Sequence, residues 1–211
     1  MTKIIVCFFL FLSALPALWA QLNARPQTAL QAFRNGRFEE AVQISKNEIS
    51  INPNNLELYI ILSRSLVNLG RYEESRSYAL AGRSISRYDP RLIEILGEIY
   101  FFQGRNNEAL QYFQEYISLA PQGDQMFMAY YYIGEIFIRQ GRYRRADIAL
   151  STAVYYMPRN ALWWARLAYA RENAGEYRSA LTAYEQALAL DENLSDARHG
   201  RDRTRTQLIN Q

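Results

Sequence analysis

An all-α superhelix of stacked helix–turn–helix units is what this 211-residue sequence predicts, on three observations. A short phrase returns five times: NGRFEEA at 35–41, LGRYEES at 69–75, QGRNNEA at 103–109, QGRYRRA at 140–146 and AGEYRSA at 174–180. Its glycines, Gly36, Gly70, Gly104, Gly141 and Gly175, stand 34, 34, 37 and 34 residues apart, and a recurrence of about 20–50 residues marks stacked supersecondary units. Between the glycines, apolar residues recur at three- and four-residue steps, the helical period.

The first twenty residues, MTKIIVCFFLFLSALPALWA, are of another kind. Lys3 precedes an apolar run from Ile4 to Leu15, then Pro16, then small residues ending at Ala20. That is the layout of a secretory signal, with cleavage expected after Ala20. Leu18 is larger than the residue preferred at its position, so the bond cut is left open. An uncleaved anchor is the competing reading, but a spanning helix wants about 20 apolar residues, and Ile4–Ala20 is shorter and holds Pro16. Cleavage would remove Cys7, the single cysteine, which sits too early to carry a lipid at the cut.

The repeats then run at about 22–55, 56–89, 90–123, 127–160 and 161–194, filling 21–193. The third is the clearest. Ile93, Leu96, Gly97 and Tyr100 share one face of a first helix; Gly104 ends it; Ala109, Phe113 and Tyr116 line the second helix; Pro121 closes the unit. Across the copies small residues recur where two helices must meet closely: Ala29, Ser63, Gly97, Gly134 and Ala168 in first helices, and Ala41, Ser75, Ala109, Ala146 and Ala180 in second ones. Large residues recur at Phe38, Tyr72, Tyr143 and Tyr177, with Asn106 the exception, and at Phe113, Leu150 and Tyr184. Repeat two closes on Asp89-Pro90 instead of the proline seen at Pro53, Pro121 and Pro158. Three extra residues fall within PQGDQM, 121–126, where Asp124 is a candidate helix cap. They make either a longer loop or a local change of superhelical path. Residues 195–211 read as a capping helix and tail, started by Ser195, with a thin apolar side of Ala197, Thr204 and Leu208. Gly200 inside it argues against a stable helix, by about 1 kcal/mol relative to alanine.

This pattern resembles the tetratricopeptide repeat family, most closely in Leu96, Gly97, Tyr100, Gly104, Ala109, Phe113 and Pro121, and again in Trp164, Leu167, Ala168, Gly175, Tyr177, Ala180, Tyr184 and Ala187. The resemblance covers residues 22 to about 193 and implies a right-handed α-solenoid superhelix. Family members that grip a C-terminal carboxylate use lysine and asparagine at set first-helix positions. Pro26 and Leu30 stand there in repeat one, so no such clamp is expected.

Several function classes are disfavoured. A net charge of +3 is not the concentrated basic face of a nucleic-acid binder. One histidine, His199, and one cysteine cannot build the usual zinc cluster or an internal disulfide. No nucleophile–base arrangement or phosphate-cradling glycine run is present, so neither an enzyme nor a cofactor is expected. The acidic pairs Glu39-Glu40 and Glu73-Glu74 open second helices, where negative charge complements the helix dipole.

Binding is better supported. Stacked helix pairs present an extended concave surface lined by first helices. Positions four apart share a helix face, which nominates Ile60, Arg64, Val67 and Asn68 in repeat two; Glu94, Glu98 and Phe101 in repeat three; Tyr131, Glu135 and Arg139 in repeat four; and Leu162, Ala165, Tyr169 and Glu172 in repeat five. Arg142, Arg144 and Arg145 form a basic cluster in a first helical turn, against the dipole. It is either a solvated patch or a site for an acidic partner or anionic headgroups. The expected role is a non-catalytic scaffold or adaptor for a protein or peptide partner, without nucleic acid. The family resemblance joined to an export signal implies the bacterial periplasm or cell envelope. The alternatives are a ligand-binding transporter accessory, with a pocket around Tyr131 and Tyr169, and a scaffold held to the membrane by an uncleaved N-terminus.

Overall fold

The computed structural model describes residues 28–210; the predicted export signal lies outside them. Eleven helices follow one another among the described residues: α1 (Ala29–Arg34), α2 (Phe38–Ile51), α3 (Leu56–Asn68), α4 (Tyr72–Ile85), α5 (Pro90–Phe102), α6 (Asn106–Leu119), α7 (Met126–Arg139), α8 (Tyr143–Tyr156), α9 (Ala161–Asn173), α10 (Tyr177–Leu190) and α11 (Ser195–Ile209).

The recurring phrase is a turn with one geometry. Each of the five glycines has φ between 68° and 80°, the left-handed conformation that costs glycine nothing. The glycine N–H and the next residue's N–H turn back to the preceding helix. In repeat three, Gly104 donates to the Phe101 carbonyl at 3.1 Å and Arg105 to the Tyr100 carbonyl at 2.8 Å. This Schellman pairing satisfies the last carbonyls of the first helix. Arg105 is already the residue flanking α6, so one helix stops and the next starts within three residues. First helices take different caps: Thr28 and Gln31 cap α1 reciprocally, Asp89 accepts from the Arg91 N–H ahead of α5, and Asn160 accepts from the Trp163 N–H ahead of α9. Pro90 is the first residue of α5, a position where its missing N–H has no helical partner to lose. It opens the third repeat rather than closing the second.

Within each repeat the two helices meet at the predicted small residues, all of them buried. At Gly97 an added Cβ would lie 2.7 Å from Cε1 of Phe113, itself fully buried. Successive first helices also pack on one another, α3 on α5, α5 on α7 and α7 on α9, while successive second helices stand farther apart. First helices therefore form the inner, concave layer and second helices the outer one. The result is an α-solenoid.

Two boundary expectations are corrected. Asp124 does not cap α7; Gln125 flanks that helix, and its N–H donates to the Tyr116 hydroxyl at 3.1 Å. Ser195 is the first residue of α11 rather than its cap, which is Leu194. The helix doubted on account of Gly200 is present over Ser195–Ile209, with Ala197, Gly200 and Thr204 buried against the array. The glycine is a packing requirement, because a Cβ there would lie 2.1 Å from Cζ of Tyr184.

Candidate functional site

Along the concave layer the joints between repeats are crossed by arginines. Arg64 on α3 reaches α5, donating to Glu94 and, at 3.0 Å, to Glu98. The Tyr132 hydroxyl of α7 donates to the other Glu98 oxygen at 3.4 Å. Arg139 lies 3.9 Å from the Phe101 ring centroid and donates to the Phe101 carbonyl at 3.1 Å. Arg166 of α9 grips Glu135 of α7 with two bonds of 2.7 and 2.8 Å. Arg203 of α11 grips Glu172 at 2.9 and 3.0 Å, and the Tyr184 hydroxyl donates to the same carboxylate at 2.6 Å.

This ladder corrects part of the predicted lining. Glu94 and Glu98, expected to face outward, are 1% and 8% exposed, and Ile60 and Phe101 are buried as well. The four-residue spacing sets these residues on one face of their helix, and the neighbouring first helix covers that face. Two acids around one arginine leave Glu98 poorly compensated. Burial, joined by the Glu94 charge, pushes its carboxyl up to about 8. Arg64, Glu135, Tyr131 and Tyr169 are half-buried, and Asn68 and Arg139 are exposed at the rim. Asn68 donates to the Arg64 carbonyl at 2.9 Å.

Beyond the Arg166–Glu135 pair the concave face ends in a pocket of about 240 Å³. Leu162, Ala165 and Tyr169 of α9 form one wall; Asp196, His199 and Arg203 of α11 form the other. Leu162, Ala165 and Tyr169 of this wall are among the nominated residues; Arg166 and the α11 residues Asp196, His199 and Arg203 are not. A signal for Arg203 existed, since it stands 34 residues beyond Tyr169 and so continues the column Arg64, Glu98, Glu135, Tyr169. Tyr131 does not share this pocket. It stacks on Trp163 with centroids 4.8 Å apart, which separates the two tyrosines expected to enclose a ligand. Among the described residues no group of three or more His, Cys, Asp or Glu side chains is placed to hold a metal ion, and no helix is long and apolar enough to cross a membrane.

Two stretches, residues 90–122 and 164–198, match models of the tetratricopeptide repeat. The chain carries tetratricopeptide repeats. Solved structures with the same fold include MamA from Desulfovibrio magneticus, 21% identical with a TM-score of 0.66 over 73% of this chain and 85% of that one. Another is YrrB, described as a tetratricopeptide protein with an unusual peptide-binding site, 15% identical with a TM-score of 0.72 over 81% and 86% of the two chains. Among curated proteins, human protein O-mannosyl-transferase TMTC1 is 26% identical over 167 residues, 75% of this chain but 18% of the relative. The Drosophila melanogaster BBSome complex member BBS4 homolog is 25% identical over 60% of this chain and 28% of its own length. The chain thus spans less than a third of these curated relatives.

Proposed function

We propose that the chain is a non-catalytic interaction scaffold, exported to the bacterial periplasm or cell envelope, that holds a segment of a partner protein along its concave face. The carrying observation is the pocket between α9 and α11, at the end of a face on which Glu135 and Glu172 are already paired with Arg166 and Arg203. Paired charges position and exclude; they leave recognition to side-chain shape. A volume of about 240 Å³ falls below the roughly 300–1,000 Å³ of drug-sized ligand sites. One anchoring side chain of a peptide suits it better than a free small molecule. The wall offers the Tyr169 ring, the Leu162 and Ala165 alkyl groups, and the Asp196 carboxylate. That set suits an apolar or aromatic anchor with a donor at its tip. The peptide-binding description of YrrB supports the same reading.

The test is site-specific photocrosslinking in the producing cell, with a photoreactive residue at Leu162 on the exposed pocket rim and a control at Gln111 on the outer layer. Discrete protein adducts from Leu162 that disappear on Tyr169→Ala are expected. Adducts indifferent to Tyr169, or equally strong from Gln111, would defeat the proposal. N-terminal sequencing of the mature chain tests export independently: a start near Gln21 supports it and a start at Met1 rejects it.

A further inference from the structure

The outer face of repeat four departs from the outer faces of the other repeats. In repeats one to three the residue flanking the second helix is an arginine that pairs with a glutamate three residues on: Arg37 with Glu40, Arg71 with Glu74, Arg105 with Glu108. In repeat four the flanking residue is Arg142 and its partner position holds Arg145. Arg144 replaces Glu39 and Glu73 of the first two repeats. All three arginines are exposed, and among the described residues none of them joins an ion pair, although α8's Asp147 does.

The same helix changes character further along. Ile148 stands where the other second helices have Gln43, Ser77, Gln111 and Thr182, and Tyr155 where they have Ser50, Ser84, Ser118 and Ala189. Both side chains are turned to solvent, 71% and 78% exposed. They lie seven residues apart, two turns along one face of α8. Beside Ile148 a groove of about 430 Å³ runs between α6 and α8 over α7, lined by Ile117, Ile133, Phe137 and Arg145. The Arg145 guanidinium sits 5.9 Å from the Phe137 ring centroid. The connection that joins α6 to α7, 120–125, is the longest among the described residues, six residues where the other inter-repeat connections have four.

An exposed apolar stripe with a purely cationic end is a surface awaiting a complement. We propose that the α6–α8 groove and the Ile148–Tyr155 stripe form a second docking surface, separate from the concave face, for a partner segment that pairs apolar side chains with carboxylates. Charge decides the occupant. Arg142, Arg144 and Arg145 repel one another and oppose the dipole of α8. Carboxylates relieve both conflicts, and the groove takes the adjoining apolar residue.

The test uses the full chain and a displayed library of random twelve-residue peptides. Three variants restore residues that the other repeats carry at these positions and so suit the fold: Arg145→Glu, Ile148→Gln and Tyr155→Ser. Enriched peptides are expected to combine Asp or Glu with large apolar residues. Their affinity in fluorescence anisotropy should fall about tenfold or more for Arg145→Glu and Ile148→Gln, with a flatter salt dependence for Arg145→Glu and no change for Tyr169→Ala. The proposal is overturned if no acidic peptides are enriched, or if these variants bind them as the parent does. It is also overturned if the surface serves another occupant. Self-association abolished by Ile148→Gln in sedimentation velocity would show a second copy; binding to phosphatidylglycerol vesicles lost on Arg145→Glu alone would show a lipid surface.

Discussion

Arg64 and Glu98 hold the same position in successive repeats, 34 residues apart, and meet at 3.0 Å across the joint. Their meeting is incomplete compensation, since Arg64 is shared with Glu94 and one cation serves two buried acids. In the unfolded chain the Glu98 carboxyl titrates near its ordinary value of about 4.3; in the fold, burial and the Glu94 charge raise it to about 8. Between those values the unfolded chain has released a proton that the folded chain retains, so stability falls as pH rises through the window. Below the window both states are protonated and the penalty vanishes. Urea unfolding followed from pH 5 to 8.5 should show a loss on the order of 2 kcal/mol, allowing for solvent relaxation around the pair. Glu98→Gln should remove most of that slope and be the more stable chain at pH 8.5; an unchanged slope would show that Glu98 ionises normally.

Gly200 carries a prediction opposite to its helix propensity. Alanine is favoured over glycine inside a helix by about 1 kcal/mol. At this position, however, the added methyl would lie 2.1 Å from Tyr184 Cζ. The ring cannot retreat, because it is 2% exposed and its hydroxyl is tied to Glu172 at 2.6 Å. Gly200→Ala should therefore cost about 1–3 kcal/mol through overpacking and loosen α11 from α10. Thermal unfolding by circular dichroism reads the loss, with exposed Gln207→Ala as the control expected to leave the midpoint in place.

The turn glycines and the small contact residues were legible because their causes are local: a left-handed φ and a close approach within one hairpin, repeated with the period. Gly104→Ala tests the first cause alone. Its φ is +73° and nothing lies within 4 Å of an added Cβ, so a loss of about 1 kcal/mol in thermal unfolding would be purely conformational. What crosses between repeats was not legible in the same way. Helical spacing places Glu94 and Glu98 on the inner face but says nothing of the next helix covering it, and their burial depends on the stacking of α3, α5 and α7. Likewise Gly200 reads as a defect until Tyr184 is seen against it. The outer-face anomaly of repeat four was half legible: the arginines stood out by charge, whereas Ile148 and Tyr155 stand out only once the register of the second helices shows what they replace.

The Arg166–Glu135 pair makes the last joint but one of the concave ladder, and its removal should be felt asymmetrically. Arg166→Ala leaves the Glu135 carboxylate, only 13% exposed, without the two bonds it now accepts. Leaving an acid half-buried and unpaired costs more than the pair contributes, so a loss of about 1–2 kcal/mol is expected. Glu135→Gln combined with Arg166→Ala removes both charges and should cost less than the sum of the two singles. A double-mutant cycle in urea should then give a coupling of about 1 kcal/mol, the level of a partly exposed pair. Because Arg166 also lies beside Tyr169, 5.1 Å from its ring centroid, the single variant should weaken capture at the Leu162 crosslinking site as well. The neutral double variant should retain less of the stacking but none of the unpaired charge. If all three variants unfold at the parent midpoint, the ladder does not stiffen the joint, and the concave face must owe its shape to apolar stacking of first helices alone.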